Sequence, residues 1–189
     1  SPESQILVLG CGTSALSEQM YAEGFVNITN VDRCGPLIDI LHDKHQDKAT
    51  MQYEEYDLVQ ALPREWDGRF DFCIDKATLD CVACGRDKKQ RVDQFLRNVS
   101  RVMKPSSGVL VSISHAAPEY RRSMLLSSGS KQGADLSDEY RWRLSHQSLA
   151  KPLVDPSAAD AKGGPPKDQQ KLEKSAAFKE EDHVYHVYV

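Results

Sequence analysis

The run Gln5-Ile6-Leu7-Val8-Leu9 leads straight into Gly10-Cys11-Gly12-Thr13-Ser14-Ala15, and a helical pattern follows. The run has the length of a strand buried on both faces. A second apolar run, Val26 to Val31, closes on Asp32. Strand, glycine turn, helix, strand and acid is the grammar of a nucleotide site at the edge of a parallel sheet. Gly10 and Gly12 permit a sharp turn and a close approach to a ligand. The helix that follows offers its free N–H groups to that ligand. An acid about twenty residues further on accepts both hydroxyls of a ribose, and Asp32 stands there. The plainer alternative is a glycine turn between strand and helix with no ligand.

A chain of 189 residues is long enough for one domain with a real core. Its net charge of -4 argues against a dedicated nucleic-acid binder, whose footprint would be basic. No apolar run approaches the roughly twenty residues of a membrane span. Five cysteines, an odd count mostly beside expected strands, suit a reduced, cytoplasmic protein with cysteine as a small apolar filler. Cys81-Val82-Ala83-Cys84 lacks two further ligands at zinc spacing, so no metal site is expected. His42 and His45 read as solvated residues on a polar helix face. His183 and His186, three apart on a strand, face opposite sides. The chain enters a strand almost at once after Ser1-Pro2-Glu3-Ser4, so residues upstream are expected.

Along the chain, helices are predicted near Ser14–Glu23, Pro36–Gln46 and Gln90–Lys104, with Lys76–Cys84 helical or turn-like. The first is expected to bury Leu16, Met20 and Tyr21, and the second Leu37, Ile38, Ile40 and Leu41. Strands are predicted at Met51–Tyr56, Phe70–Asp75 and Val109–Ser114. This alternation is that of a Rossmann-like, doubly wound α/β sheet. A helix over Pro118–Leu126 follows, and then the pattern changes. Tyr140–His146 and His183–Val189 alternate bulky and polar residues, as strands of a C-terminal antiparallel hairpin do. Between them, residues 151–179 are rich in Pro, Ala, Lys, Gln and Asp, which predicts a flexible insertion.

Four blocks in register carry a resemblance. They are Ile6 to Ser17 with its glycine turn, Asp75-Lys76-Ala77-Thr78-Leu79-Asp80, Val99 to Pro105 with Gly108, and Ser114 to Arg121 with Pro118 between. Together they resemble class I, seven-strand S-adenosylmethionine-dependent methyltransferases. The resemblance is to the lysine methyltransferases of elongation factor 1-alpha and their methyltransferase-like relatives. It implies a seven-stranded, mostly parallel sheet, a single domain over 1–189, S-adenosyl-L-methionine as cofactor and a protein lysine as acceptor. The expected protein is a monomer whose partner is a protein substrate, elongation factor 1-alpha among the candidates, with no nucleic acid and no membrane.

By the same resemblance, Gly10, Cys11 and Gly12 lie under the methionine part of the cofactor. Asp32 holds the ribose, Arg33 lines the adenine pocket, and Asp57 with Leu58 meets the adenine. Asp75 faces the methionine end and the incoming substrate, as the catalytic residue. Two departures stand out: Ala77 replaces a family glycine, and Ser106-Ser107 replaces Gly-Gly. The family also carries an amino-terminal helical lid over the cofactor, and this sequence starts past it. Three rival readings fit the same residues, one an aminopropyl transferase of the spermidine synthase kind, whose polyamine site would need a denser cluster of acids. Gly10-x-Gly12-x-x-Ala15 with Asp32 also satisfies the nicotinamide oxidoreductase fingerprint. A non-catalytic methyltransferase-like scaffold would carry the same blocks.

Overall fold

Ile6–Leu9 (β1) is buried along its whole length, and its alternate side chains serve two different cores. Leu7 and Leu9 pack with Phe95, Leu96 and Val99; Ile6 and Val8 pack with Ile28, Ile38 and Met51. That division is the period-two alternation of a strand in a sheet covered on both faces. The computed structural model describes residues 1–127, 143–150 and 184–189.

The strands are β1, Ile28–Asp32 (β2), Met51–Glu55 (β3), Phe72–Lys76 (β4), Val109–Ser114 (β5), His146–Ala150 (β6) and Val184–Tyr188 (β7). They form one sheet in the order β3-β2-β1-β4-β5-β7-β6. The pairs β1–β2, β1–β4, β2–β3 and β4–β5 are parallel, whereas β7 lies antiparallel to β5. Ser145 and Val189 exchange N–H···O=C bonds (2.6 and 3.0 Å), the reciprocal pattern of an antiparallel pair. The helices are Leu16–Ala22 (α1), Gly35–Lys44 (α2), Thr78–Val82 (α3), Lys88–Val102 (α4) and Pro118–Ser127 (α5), with a 3-10 turn at Arg64–Trp66. Contacts divide the chain into two units, Ser1–Gln147 with His186–Val189 and Ser148–Tyr185. The first holds the parallel sheet and all the groups discussed below; of the second only the ends of β6 and β7 are described. No described helix is long and apolar enough to cross a membrane.

The expected α/β sheet and terminal hairpin are present, with differences of detail. In α1 Met20 and Tyr21 pack half-buried against the core as expected, while Ser17 is fully buried, its hydroxyl bonded to the side chain of Asn30, itself buried in β2. In α2 Ile38 is fully buried and Leu41 packs half-buried against the same core. Ile40, two residues on from Ile38 and so about 200° around the helix, is 64% exposed. His45 is not solvated: it is buried against Tyr53, rings 5.5 Å apart, with Nε2 3.2 Å from Glu18. The strand predicted over 140–146 begins at His146; residues 140–142 lie outside the described residues, as does the insertion at 151–179.

The apolar stripe of α4, Val92, Phe95, Leu96, Val99 and Val102, is buried as its spacing dictates. Both departures from the family pattern fall where the backbone is left-handed. Ala77 has φ 67° and Ser106 φ 65°, positions that glycine occupies without a Cβ clash. Both residues therefore carry backbone strain that a glycine would not. Replacing Ala77 with Gly, or Ser106 with Gly, should each raise stability by about 0.5–1 kcal/mol. Urea denaturation of both variants, reading the midpoint at unchanged slope, checks this.

Candidate active site

Chain order reverses at β1, whose neighbours β2 and β4 lie on opposite sides. In an open α/β sheet such a switch point leaves a crevice beyond the carboxyl ends of the strands. Leu9 pairs with Val31 on one side and Asp75 on the other, so the residues just after β1, β2 and β4 meet at one edge. The turn after β1 is left-handed at both glycines, with φ 68° at Gly10 and 50° at Gly12. Cys11 between them donates its N–H to Val31 (2.9 Å), which ties the turn to β2.

The two glycines serve different ends. A Cβ on Gly10 would collide with the Thr78 hydroxyl, whereas one on Gly12 would meet nothing within 4 Å. Thr78 is packed there because its Oγ1 donates to the Leu9 carbonyl (2.7 Å). The first helix after β4 is thus bolted to the glycine turn, and the space over Gly12 is left open.

Asp32 closes the other side of that space. One carboxylate oxygen accepts the Gly12 N–H and the other the Cys34 N–H, both at 3.0 Å. A carboxylate has about four acceptor positions, so each oxygen keeps capacity for another donor. Two acceptors held beside an open glycine turn fit a vicinal diol. Asp57 is exposed, and its Oδ1 takes the Val59 N–H (3.1 Å). Leu58 is buried in the core, while Arg33 is exposed. Cys11 is buried against Asp32, and desolvation with that neighbouring charge pushes its thiol up to about 12. Its side chain packs as a small apolar filler beside Ile6 and Val8. Among the described residues no cluster of three or more His, Cys, Asp or Glu is placed to hold a metal ion.

Asp75 differs from its expected placement. It does not face outward: its exposure is 1%, and both oxygens are occupied. Oδ1 accepts the Thr78 and Leu79 N–H groups (2.9 and 3.0 Å) and Oδ2 the Ser112 hydroxyl (2.6 Å). The left-handed Ala77 turns the backbone of α3 back onto the end of β4, which brings those N–H groups over the carboxylate. Burial raises its pKa, opposed by the Ser112 and Leu79 hydrogen bonds. The carboxyl therefore holds α3 in place.

Several organising side chains were not singled out from the sequence. Arg121, 1% exposed, pairs with Asp80 and donates to Ser114 Oγ (3.0 Å), which in turn donates to Asp80 (2.7 Å). Asn98 donates from Nδ2 to the carbonyls of Leu58 (2.9 Å) and Gln60 (2.6 Å), fixing the loop that carries Asp57. The signals existed. Asp80 and Arg121 end two of the four blocks, and Asn98 is a polar residue inside the apolar stripe of α4.

Residues 7–111 match the family described as a methyltransferase domain. The chain belongs to that family. Among curated proteins it is similar to bovine EEF1A lysine methyltransferase 4, 36% identical over 128 residues, which are 64% of this chain and 49% of that protein. It is also similar to human eEF1A lysine and N-terminal methyltransferase, 35% identical over 107 residues, 54% of this chain and 15% of that one. The chain thus spans half or less of these relatives. Among solved structures it resembles the YcgJ protein of Bacillus subtilis, with TM-score 0.60 and 15% identity over 99% of this chain and 90% of that one. An S-adenosylmethionine-dependent methyltransferase of Mesorhizobium loti is comparable, with TM-score 0.58 and 13% identity over 98% and 90%. At these identities the structural likeness speaks for the fold.

The burial of Asp75 has a measurable consequence. With the carboxyl raised, the folded state retains a proton that the unfolded chain releases. Asp75's contribution to stability should therefore fall as pH rises from the ordinary carboxylate range through the raised value. Asp75→Asn keeps the acceptor for α3 and should remain within about 1 kcal/mol of wild type, with a flatter pH profile across that window. Asp75→Ala strands the Ser112 hydroxyl and two N–H groups and should cost about 3 kcal/mol. Urea midpoints against pH for the three proteins test both statements.

Proposed function

We propose that this domain transfers a methyl group from S-adenosylmethionine to a lysine of a protein, with elongation factor 1-alpha as acceptor. The observation that carries the cofactor reading is Asp32, held against the open Gly12 turn with acceptor capacity to spare. The names of the relatives support the acceptor. The antiparallel β7, where a nicotinamide enzyme would continue its second parallel half, favours this reading over the oxidoreductase.

In this reading Asp32 accepts from the ribose hydroxyls, and Gly10, Cys11 and Gly12 lie along the methionine part. Asp57 accepts from the adenine amine, with Leu58 and Arg33 beside the ring. The cofactor, when bound, supplies an electrophilic methyl on a positive sulfur. The protein's part is alignment, dehydration and electrostatics. The acceptor lysine must shed a proton, its ordinary pKa being about 10.4, and an apolar slot lowers that value. An accessible carboxylate there would favour the charged ammonium. Asp75, shut behind Ser112 and α3, does not exert that pull at contact distance. It acts as a positioning residue: it holds α3, and α3 carries Thr78 onto the glycine turn.

The test is calorimetry with S-adenosylmethionine and its demethylated product, followed by transfer of a labelled methyl group to elongation factor 1-alpha. Asp32→Asn, which keeps the side chain's shape, should weaken cofactor binding by about tenfold or more, the loss of charged hydrogen bonds worth roughly 1.5–3 kcal/mol each. Unchanged affinity in that variant would remove the ribose role. Cofactor binding by wild type without label transfer to any protein of a whole-cell lysate would point instead to the scaffold.

A further inference from the structure

α4 is reached from β4 through the short α3, and α5 follows β5, so the first turns of both stand at the carboxyl edge of the sheet, the edge of the glycine turn. Between those turns lies a hollow of about 190 Å³, lined by Lys88, Lys89, Val92 and Asp93 of α4 and by Tyr120 and Met124 of α5 among others. Its floor is apolar, since Val92 is buried and Met124 half-buried. Tyr120 is 48% exposed at the rim. The volume suits one large side chain and is too small for a nucleotide.

The approach to the hollow is basic although the chain as a whole carries -4. Residues 84–90 are all exposed and hold Arg86, Lys88 and Lys89 against Asp87. The first turn of α4 has no acid. Lysine is disfavoured at a helix N-terminus, where the macrodipole is positive. Among the described residues none pairs with Arg86, Lys88 or Lys89 through a hydrogen bond or ion pair.

We propose that this hollow docks the protein acceptor through an acidic segment bearing one large apolar side chain. The apolar group sits on Val92 and Met124 beside Tyr120, and the flanking carboxylates meet Lys88, Lys89 and Arg86. The proposal rests on the reading of the domain as a protein methyltransferase and names the kind of substrate segment it recognises. Charge pairing at an exposed rim governs encounter and selectivity and is screened by salt.

The experiment uses a fluorescent peptide with a central Phe between two pairs of Glu, and controls with Gln for Glu or Ala for Phe. Binding is read by anisotropy on the full chain and on the Lys88→Glu/Lys89→Glu variant. Added acids suit a helix N-terminus, so the variant should fold. The parent peptide should bind wild type, weaken about tenfold between roughly 50 and 300 mM salt, and weaken about tenfold in the variant. Both control peptides should bind poorly. Cofactor affinity should be unchanged in the variant, while KM for elongation factor 1-alpha rises at constant kcat. Peptide binding indifferent to the variant, or equal binding of the Gln control, overturns the docking proposal. Failure of wild type to bind cofactor overturns the methyltransferase reading instead, and the peptide measurement stands apart from that outcome.

Discussion

The hydrogen bond from the Thr78 hydroxyl to the Leu9 carbonyl (2.7 Å) is the joint on which the site depends. Leu9 is the last residue of a strand buried on both faces, and its neighbours diverge in opposite directions through the sheet. The Thr78 hydroxyl donates to its carbonyl from the first turn of α3, which pins that helix to the end of the central strand. The same contact dictates glycine at position 10, because a Cβ there would meet the threonine.

Asp75 sustains that joint from below. Its carboxylate binds the first N–H groups of α3, an arrangement that favours negative charge at a helix start and offsets part of the cost of burial. Asp80 and Arg121 extend the support outward, tying α3 to the segment between β5 and α5 through Ser114. The acids at the carboxyl ends of β2 and β4 therefore have opposite fates. Asp32 stays half-buried with acceptor capacity in hand, whereas Asp75 is consumed by the fold. The chemistry proposed here needs that division: an acceptor for ribose on one side, and no accessible carboxylate beside an amine that must lose its proton.

Much of this was legible from periodicity and turn chemistry. β5 spans Val109–Ser114 as predicted, because a short apolar run between Gly108 and a polar loop admits little else. The stripe of α4 was legible for the same reason. His45 was not, since nothing in its helix neighbours announces Tyr53, a residue of the next strand that stacks on it. Ser17 and Asn30 were hidden likewise: two polar residues on separate elements become a buried pair only when both elements are in place. Ile40 failed the opposite way, as an apolar residue on a helix face that the sheet does not cover.

The sequence by itself determined the order of strands and helices, the glycine turn and the spacing from that turn to Asp32. These are local matters of period, backbone freedom and chain length. Tertiary structure alone decided which acids remain available. Whether a carboxylate at a strand end serves a ligand or the fold depends on which donors other elements bring to it. For Asp32 those are two backbone N–H groups that leave room for more. For Asp75 they are the start of a helix and a serine from the adjacent strand, which leave none exposed.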